Sequence, residues 1–349
     1  MAVSLGNIFA QVPGRGGSSY LWYYREWKGL NGFSDCYGVI KNFHLAHAQA
    51  YIKDNLQYMY NQGGQRRLNV MIFHARDARL VAAGCPSVSN IPGNGTIMKY
   101  YIGSDLVIGT ADDVLELQYL ENLYNYVDYA ASLGFKEFMV MMSPQSANWP
   151  GFWSNFDQFM AAGLYAENRH ILQLVYQTMQ NTGRPFKIVL ADEPLQSPHN
   201  GQYYDSVYSY VARMWSDYFE DGGNLAVTGG ITMADATGSD IENQVNAFLD
   251  ICDSAGYGRP LFYVLNIFGD EQRGFTNFHQ ALIARGSFAE PVIIGSTFYN
   301  DSETAYNLRS VSNKTGRVIE FVLQWPKMRA NGLDNIYVSE FFNYAIYGF

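Results

Sequence analysis

The sequence predicts a (β/α)₈ barrel, an α/β fold of eight parallel strand–helix units in one domain. Three observations lead there. From about residue 45 onward, short apolar runs alternate with longer helical patterns across short turns, the signature of parallel βαβ units. No GxGxxG or GxxxxGK[ST] stretch sits between a strand and a helix, although an open doubly wound sheet would usually carry such a phosphate loop. Finally, 349 residues with 48% hydrophobic content are enough for eight units around one core.

The first strand is expected at Tyr20–Tyr24, with Ile8–Val12 as second choice; Gly14–Gly17 reads as a loop. A helix over Ala46–Asn61 stops at Gly63-Gly64 and leads into the strand Leu68–His74. The connection 75–113 is rich in Gly, Pro, Ser and Asn and is too long for a plain barrel loop, so it reads as a lid or substrate wall. Ser104-Asp105 and Thr110–Asp113 within it lack EF-hand spacing, and Thr110–Asp113 reads as the N-cap of the next helix. That helix, Val114–Leu133, ends at Gly134, which can take the left-handed C′ conformation.

Next come the strand Glu137–Met142, one helix over Asn155–Met179, and the strand Phe186–Ala191, which runs into Asp192-Glu193-Pro194. Helices at Tyr204–Glu220, Ile241–Ala255, Phe275–Arg285 and Glu303–Val311 alternate with strands at Leu225–Ile231, Leu261–Asn266, Pro291–Gly295 and Val318–Trp325. The domain therefore spans 1–349, with 75–113 as its insertion and the aromatic segment 336–349 as its last helix or a tail packed on the barrel.

Composition narrows the function. A net charge of −9 with no basic stripe argues against nucleic-acid binding. No apolar run approaches transmembrane length, and the N-terminus lacks a charged region followed by an apolar one, so a soluble protein is expected, secreted or cytoplasmic. The three cysteines lack CxxC spacing, and no HxH pair stands at a strand end, so neither a zinc site nor another metal or cofactor is expected. The 27 Tyr, 22 Phe and 6 Trp residues are more than usual; they serve a packed core or a surface that stacks on sugar rings.

In a barrel of this kind chemistry lies at the carboxyl ends of the strands. Those ends carry His74, Arg76 and Asp77; Ser143 and Gln145, followed by Trp149 and Trp153; Asp192 and Glu193; Asp235; Asn266 and Asp270; Ser296, Tyr299 and Asp301; and Gln324 with Trp325. Carboxylates, amides and aromatic rings around one mouth suit a neutral, polyhydroxylated ligand, an oligosaccharide or polysaccharide. Asp192 and Glu193 point to opposite sides of an extended backbone, and Pro194 ends the strand. Glu193 is then a strand-end cap, a partner of Arg76, or a catalytic acid.

This arrangement resembles the clan A retaining glycoside hydrolases, whose acid/base is a Glu at the end of strand four, often followed by Pro. The resemblance covers the whole chain as topology. It implies Glu193 as acid/base, Trp325 under the sugar, His74 or Arg76 as the basic residue after strand two, and a nucleophile at the end of strand seven. Two departures stand out. Asp192 takes the place of the clan's usual Asn, and its charge would raise the pKa of Glu193. Ser296 occupies the nucleophile position, where an unactivated hydroxyl cannot serve. Either Ser296 replaces a Glu, or Asp301 or Glu303 reaches in, or Asp235 or Asp270 is the second carboxylate of an inverting pair. A barrel that binds carbohydrate without cleaving it is the alternative.

Overall fold

The computed structural model describes residues 17–20, 40, 43–61, 65–76, 97–191, 203–220, 228–233, 241–255, 260, 262–267, 270–297 and 302–324. Eight parallel strands form a closed barrel: β1 (Gly17–Tyr20), β2 (Arg67–Arg76), β5 (Glu137–Pro144), β6 (Phe186–Ala191), β7 (Thr228–Met233), β8 (Tyr263–Asn266), β9 (Val292–Thr297) and β10 (Ile319–Gln324). Closure is made by β1, which pairs in parallel with β10 on one side and with β2 on the other. Tyr20, where the first strand was expected to begin, is the last described residue of β1. Residues 21–24 and the second choice, 8–12, lie outside the described residues.

The helices are α1 (Ala46–Asn61), α2 (Leu117–Leu133), α3 (Phe156–Ala161), α4 (Leu164–Asn181), α5 (Tyr204–Glu220), α6 (Ile241–Ala255), α7 (Glu271–Ala284) and α8 (Ser302–Thr315). Among the described residues no helix is long and apolar enough to cross a membrane.

Three sequence expectations need correction. The connection 75–113 is not structureless throughout: Ile97–Tyr101 forms β3, which extends β2 in parallel from Phe73 to Arg76, and Val114–Leu115 forms β4, antiparallel to β3. A β-branched and aromatic run beside a free strand edge pairs with that edge whatever the surrounding loop composition. Thr110–Asp113 consequently does not cap a helix. It closes a turn in which Asp112 accepts from the Ser104 N–H at 2.7 Å and Asp113 from the Gly109 N–H at 2.6 Å.

The single helix expected over 155–179 is instead two, α3 and α4, broken at Gly163. Gly163 has φ +74°, and a Cβ there would come within 2.7 Å of Leu106 Cδ2. The break is therefore imposed by the turn that packs across it. Asn155 does open α3, accepting from the Asp157 N–H at 2.7 Å.

Two apolar layers hold the fold. The larger lies between strands and helices and includes Leu68, Val70, Ile72, Phe138, Val140, Ile188 and Leu190. The smaller fills the barrel axis with Met71, Met139, Met141, Val189, Phe262, Val264 and Ile293. Period-two alternation explains the division: along β2, β5 and β6 the even-numbered residues face the helices and the odd-numbered ones the axis.

Towards the amino ends of the strands this odd-numbered face becomes charged. Glu137 accepts from Arg67 at 3.0 Å and from Lys187, which also reaches Glu320 at 3.2 Å. Two cations and two carboxylates from β2, β5, β6 and β10 thus close the base of the barrel. Burial opposes ionisation of Glu137, but Lys187 and Arg67 outweigh it and hold its carboxyl below the usual range, whereas burial leaves that of Glu320 raised.

Removing Lys187 should leave Glu320 without the cation that bonds it and Glu137 with Arg67 alone. Lys187→Met is expected to lower unfolding free energy by about 3 kcal/mol. Arg184→Ala, which breaks the exposed 3.7 Å pair with Asp128, should leave the urea midpoint nearly unchanged. Equal losses in the two variants would show that the base quartet is no more than a surface feature.

Candidate active site

The mouth is built from the last inward residues of the strands. On β2 these are Phe73, packed against the axial cluster, and Ala75 beyond it, and on β5 it is Ser143, whose hydroxyl accepts from Gln145 Nε2 at 2.9 Å. On β8 the inward residues Phe262 and Val264 are followed by Asn266, which is buried. Beside it on β9 lies Gly295, where a Cβ would sit 2.4 Å from Val264 Cγ1 and 3.0 Å from Asn266 Oδ1. Only a glycine lets β9 approach β8 this closely.

Gly295 also marks an irregularity in register. Leu265 pairs with Ile294, but the next residue, Asn266, pairs with Ser296, so β9 carries one extra residue. A bulge of this kind re-aims the residues beyond it. Without it Ser296 would continue the outward sense of Ile294; with it, Ser296 is the register partner of the inward Asn266.

His74 and Arg76, expected at the mouth, fall on the even-numbered face of β2 and turn towards the helices. Both are buried. Arg76 donates through Nε to Glu167 at 2.8 Å, and its Nη2 lies 2.7 Å from the same carboxylate and 2.5 Å from the Ala162 carbonyl. His74 has no hydrogen-bond partner for Nδ1 among the described residues, and burial pulls its pKa from 6.5 down to about 3. The sequence reading missed strand parity here: both residues sit at the right height and on the wrong face for ligand contact.

Arg76 anchors the next loop. Its main-chain N–H donates to Asn148 Oδ1 at 2.7 Å, while Asn148 Nδ2 donates to Glu167 at 3.0 Å and to Asn168 Oδ1 at 2.9 Å. Asn168 returns a bond to the Asn148 carbonyl at 2.9 Å. Burial pushes the Glu167 carboxyl above the ordinary range, with Arg76 pulling the other way. Sequence reasoning did not single out Asn148, Glu167 or Asn168, yet a signal existed: Glu167 and Asn168 stand four residues before Ile171 and Leu172, on the apolar stripe of α4. Polar residues on such a stripe are buried and must be partnered.

Trp149 and Trp153 flank a short 3₁₀ turn, Pro150–Phe152, held on this anchor. Trp153 donates its indole N–H to the Ala147 carbonyl at 2.8 Å and meets Phe159 edge-on at 6.0 Å, so its ring is committed largely to packing. Trp149 is half-buried against the same layer. Asp270 opens α7 in the left-handed region at φ 44° and pairs with Arg273 at 2.8 Å on the exposed rim. Asp77, Asp192, Glu193, Asp235, Tyr299, Asp301 and Trp325 lie outside the described residues, and of Ser296 the strand position is described. Among the described residues no group of three or more His, Cys, Asp or Glu side chains is arranged to hold a metal.

No protein-family model matches the chain, and no curated protein matches it. Solved structures do. Cel5A (EG2) from Hypocrea jecorina (Trichoderma reesei) is similar over 93% of this chain and 91% of that one, with 12% identity and a TM-score of 0.52. A conserved exported protein from Bacteroides fragilis is similar over 85% of this chain and 72% of that one, with 10% identity and a TM-score of 0.51. What is shared is the barrel. At such identities the likeness is one of fold, and function has to be argued from the site.

His74 makes a pH prediction. Its folded pKa lies below the ordinary 6.5, so its stabilising contribution is complete above pH 6.5. That contribution is lost as pH falls towards about 3, because the unfolded chain takes up a proton that the folded chain refuses. The loss should approach about 1.4 kcal/mol per pH unit between those limits. His74→Gln should flatten this part of the urea-midpoint profile between pH 6.5 and about 4; an unchanged slope would place the titrating group elsewhere.

Proposed function

We propose that the chain is a glycoside hydrolase acting on a neutral oligosaccharide or polysaccharide, with Glu193 as general acid/base. The observation that carries the proposal is the direction of β6. Lys187 and Val189 are axis-facing residues of β6, which brings the chain at Ala191 to the carboxyl end of the barrel, and Glu193 follows two residues later in the sequence. A carboxyl group set above the apolar axial cluster would be kept protonated to deliver its proton to a leaving glycosidic oxygen.

The second group belongs at position 296. Its backbone pairs in register with Asn266, one residue beyond the Gly295 bulge, which sets position 296 level with an axis-facing residue of β8. A serine there cannot displace a glycosidic oxygen unaided. In the retaining reading a Glu would stand at 296 and attack the anomeric carbon, with Glu193 first protonating the departing oxygen and then activating water. Asp235 remains the second carboxylate of an inverting reading. Asp270 is the weaker candidate, since it is engaged with Arg273 on the rim. Asn266, Tyr299, Trp149 and Trp325 are assigned to ligand contact, while Arg76 is assigned to holding the loop that carries Trp149.

The test pairs two substitutions with the parent on a panel of aryl glycosides and neutral oligosaccharides. Ser296→Glu is expected to raise hydrolysis at least about 100-fold, and Glu193→Gln introduced into that variant should remove the gain. If Ser296→Glu gains nothing and Glu193→Gln alters neither hydrolysis nor binding, the proposal fails. Binding of a glycan that no variant cleaves would leave a carbohydrate-binding barrel.

A further inference from the structure

Two aromatic rings that the sequence reading passed over remain exposed at the rim. Phe152 is 58% exposed on the loop leaving β5, and Tyr203 is 48% exposed immediately before α5. Their loops are laced together: the Tyr203 N–H donates to the Gly151 carbonyl at 2.8 Å, and the buried Ser206 hydroxyl donates to the Trp153 carbonyl at 2.7 Å. Beneath them, Asn148 ties the same turn to the Arg76–Glu167 pair. Fixing two large apolar rings in solvent on a braced turn has no packing benefit to explain it.

We infer that Phe152 and Tyr203 form a stacking shelf for a sugar unit lying outside the barrel mouth, so that the ligand is a polymer extending over the β5–β6 side of the rim. The inference rests on the glycan reading above and deepens it. The chemistry around the rings favours a sugar over a protein partner. Ser154, Asn155, Asp157 and Gln158, which follow Phe152 in the chain, are polar and exposed, so hydroxyl, amide and carboxylate groups outnumber the one exposed apolar side chain of 154–160, Met160. A pyranose presents one apolar face and a ring of hydroxyls, which such a surface matches. A pre-braced ring also loses little conformational entropy on binding.

The test measures affinity of the full chain for hydroxyethyl cellulose, galactomannan and xylan by affinity electrophoresis. Disaccharides and hexasaccharides of the best-bound polymer are then compared by calorimetry. Phe152→Ala and Tyr203→Ala should each weaken polymer binding by about tenfold. The loss should grow from disaccharide to hexasaccharide, while thermal midpoints stay within a few degrees of the parent. Polymer affinity equal to the parent's in both variants would overturn the shelf, as would a loss independent of chain length. So would a parent that binds none of the three polymers, or a concentration-dependent dimer, seen by sedimentation, that Phe152→Ala dissociates. Because these readouts are of binding, absence of hydrolysis by Ser296→Glu bears on the glycosidase reading and not on the shelf.

Discussion

The fold depends on a charge balance at the base of the barrel. Arg67, Glu137, Lys187 and Glu320 come from four strands that are far apart in sequence, and their side chains meet only when the barrel is closed in register. A slip of one residue in β2, β5 or β6 would move its charged member to the helix layer and a Leu, Phe or Ile onto the axis. The quartet therefore does more for specificity than for net stability, since burying charge is costly even when the charges are matched. Above it the Met-rich axial cluster is adaptable in shape, and register is held by the base and by closure at β1 rather than by this filling.

A second polar knot organises the other end. Arg76, Glu167, Asn148 and Asn168 join the last residue of β2, the loop after β5 and the first turns of α4 into one buried network. Its consequence reaches the rim, because the aromatic turn 149–153 cannot shift without breaking a bond to Asn148 or Ser206. The aromatic surplus is resolved in the same region. Phe156, Phe159, Tyr165 and Tyr210 meet at ring separations between 5.9 and 6.1 Å and belong to the core, whereas Phe152 and Tyr203 stay in solvent.

Elements with a strong period were legible in the sequence: α1, α5, α6 and β6 have the expected bounds, and β2 and β5 differ by a residue or two. Misreadings occurred where distant chain decides local form. Gly163 breaks a helix because Leu106 packs across it, and Ile97–Tyr101 becomes a strand because β2 offers it an edge. Of the site, the heights of His74, Arg76 and Asn266 along their strands were legible, but the faces of His74 and Arg76 were not used, although alternation determines them. Glu167 was overlooked because a charged helical residue is normally solvated.

By itself, then, the sequence determined the class of fold, the order of its units and the positions of carboxylates and amides at strand ends, because hydrophobic period and turn chemistry are local properties. Tertiary structure decided that His74 and Arg76 turn to the helices while Asn266 follows the axial face, that Phe152 and Tyr203 remain outside, and that β9 bulges at Gly295 beside Ser296. The physical reason is that facing, exposure and register are settled between neighbouring elements, through close approaches such as Gly295 against Val264 and buried pairs such as Arg76 with Glu167. No window of sequence contains both partners of either contact.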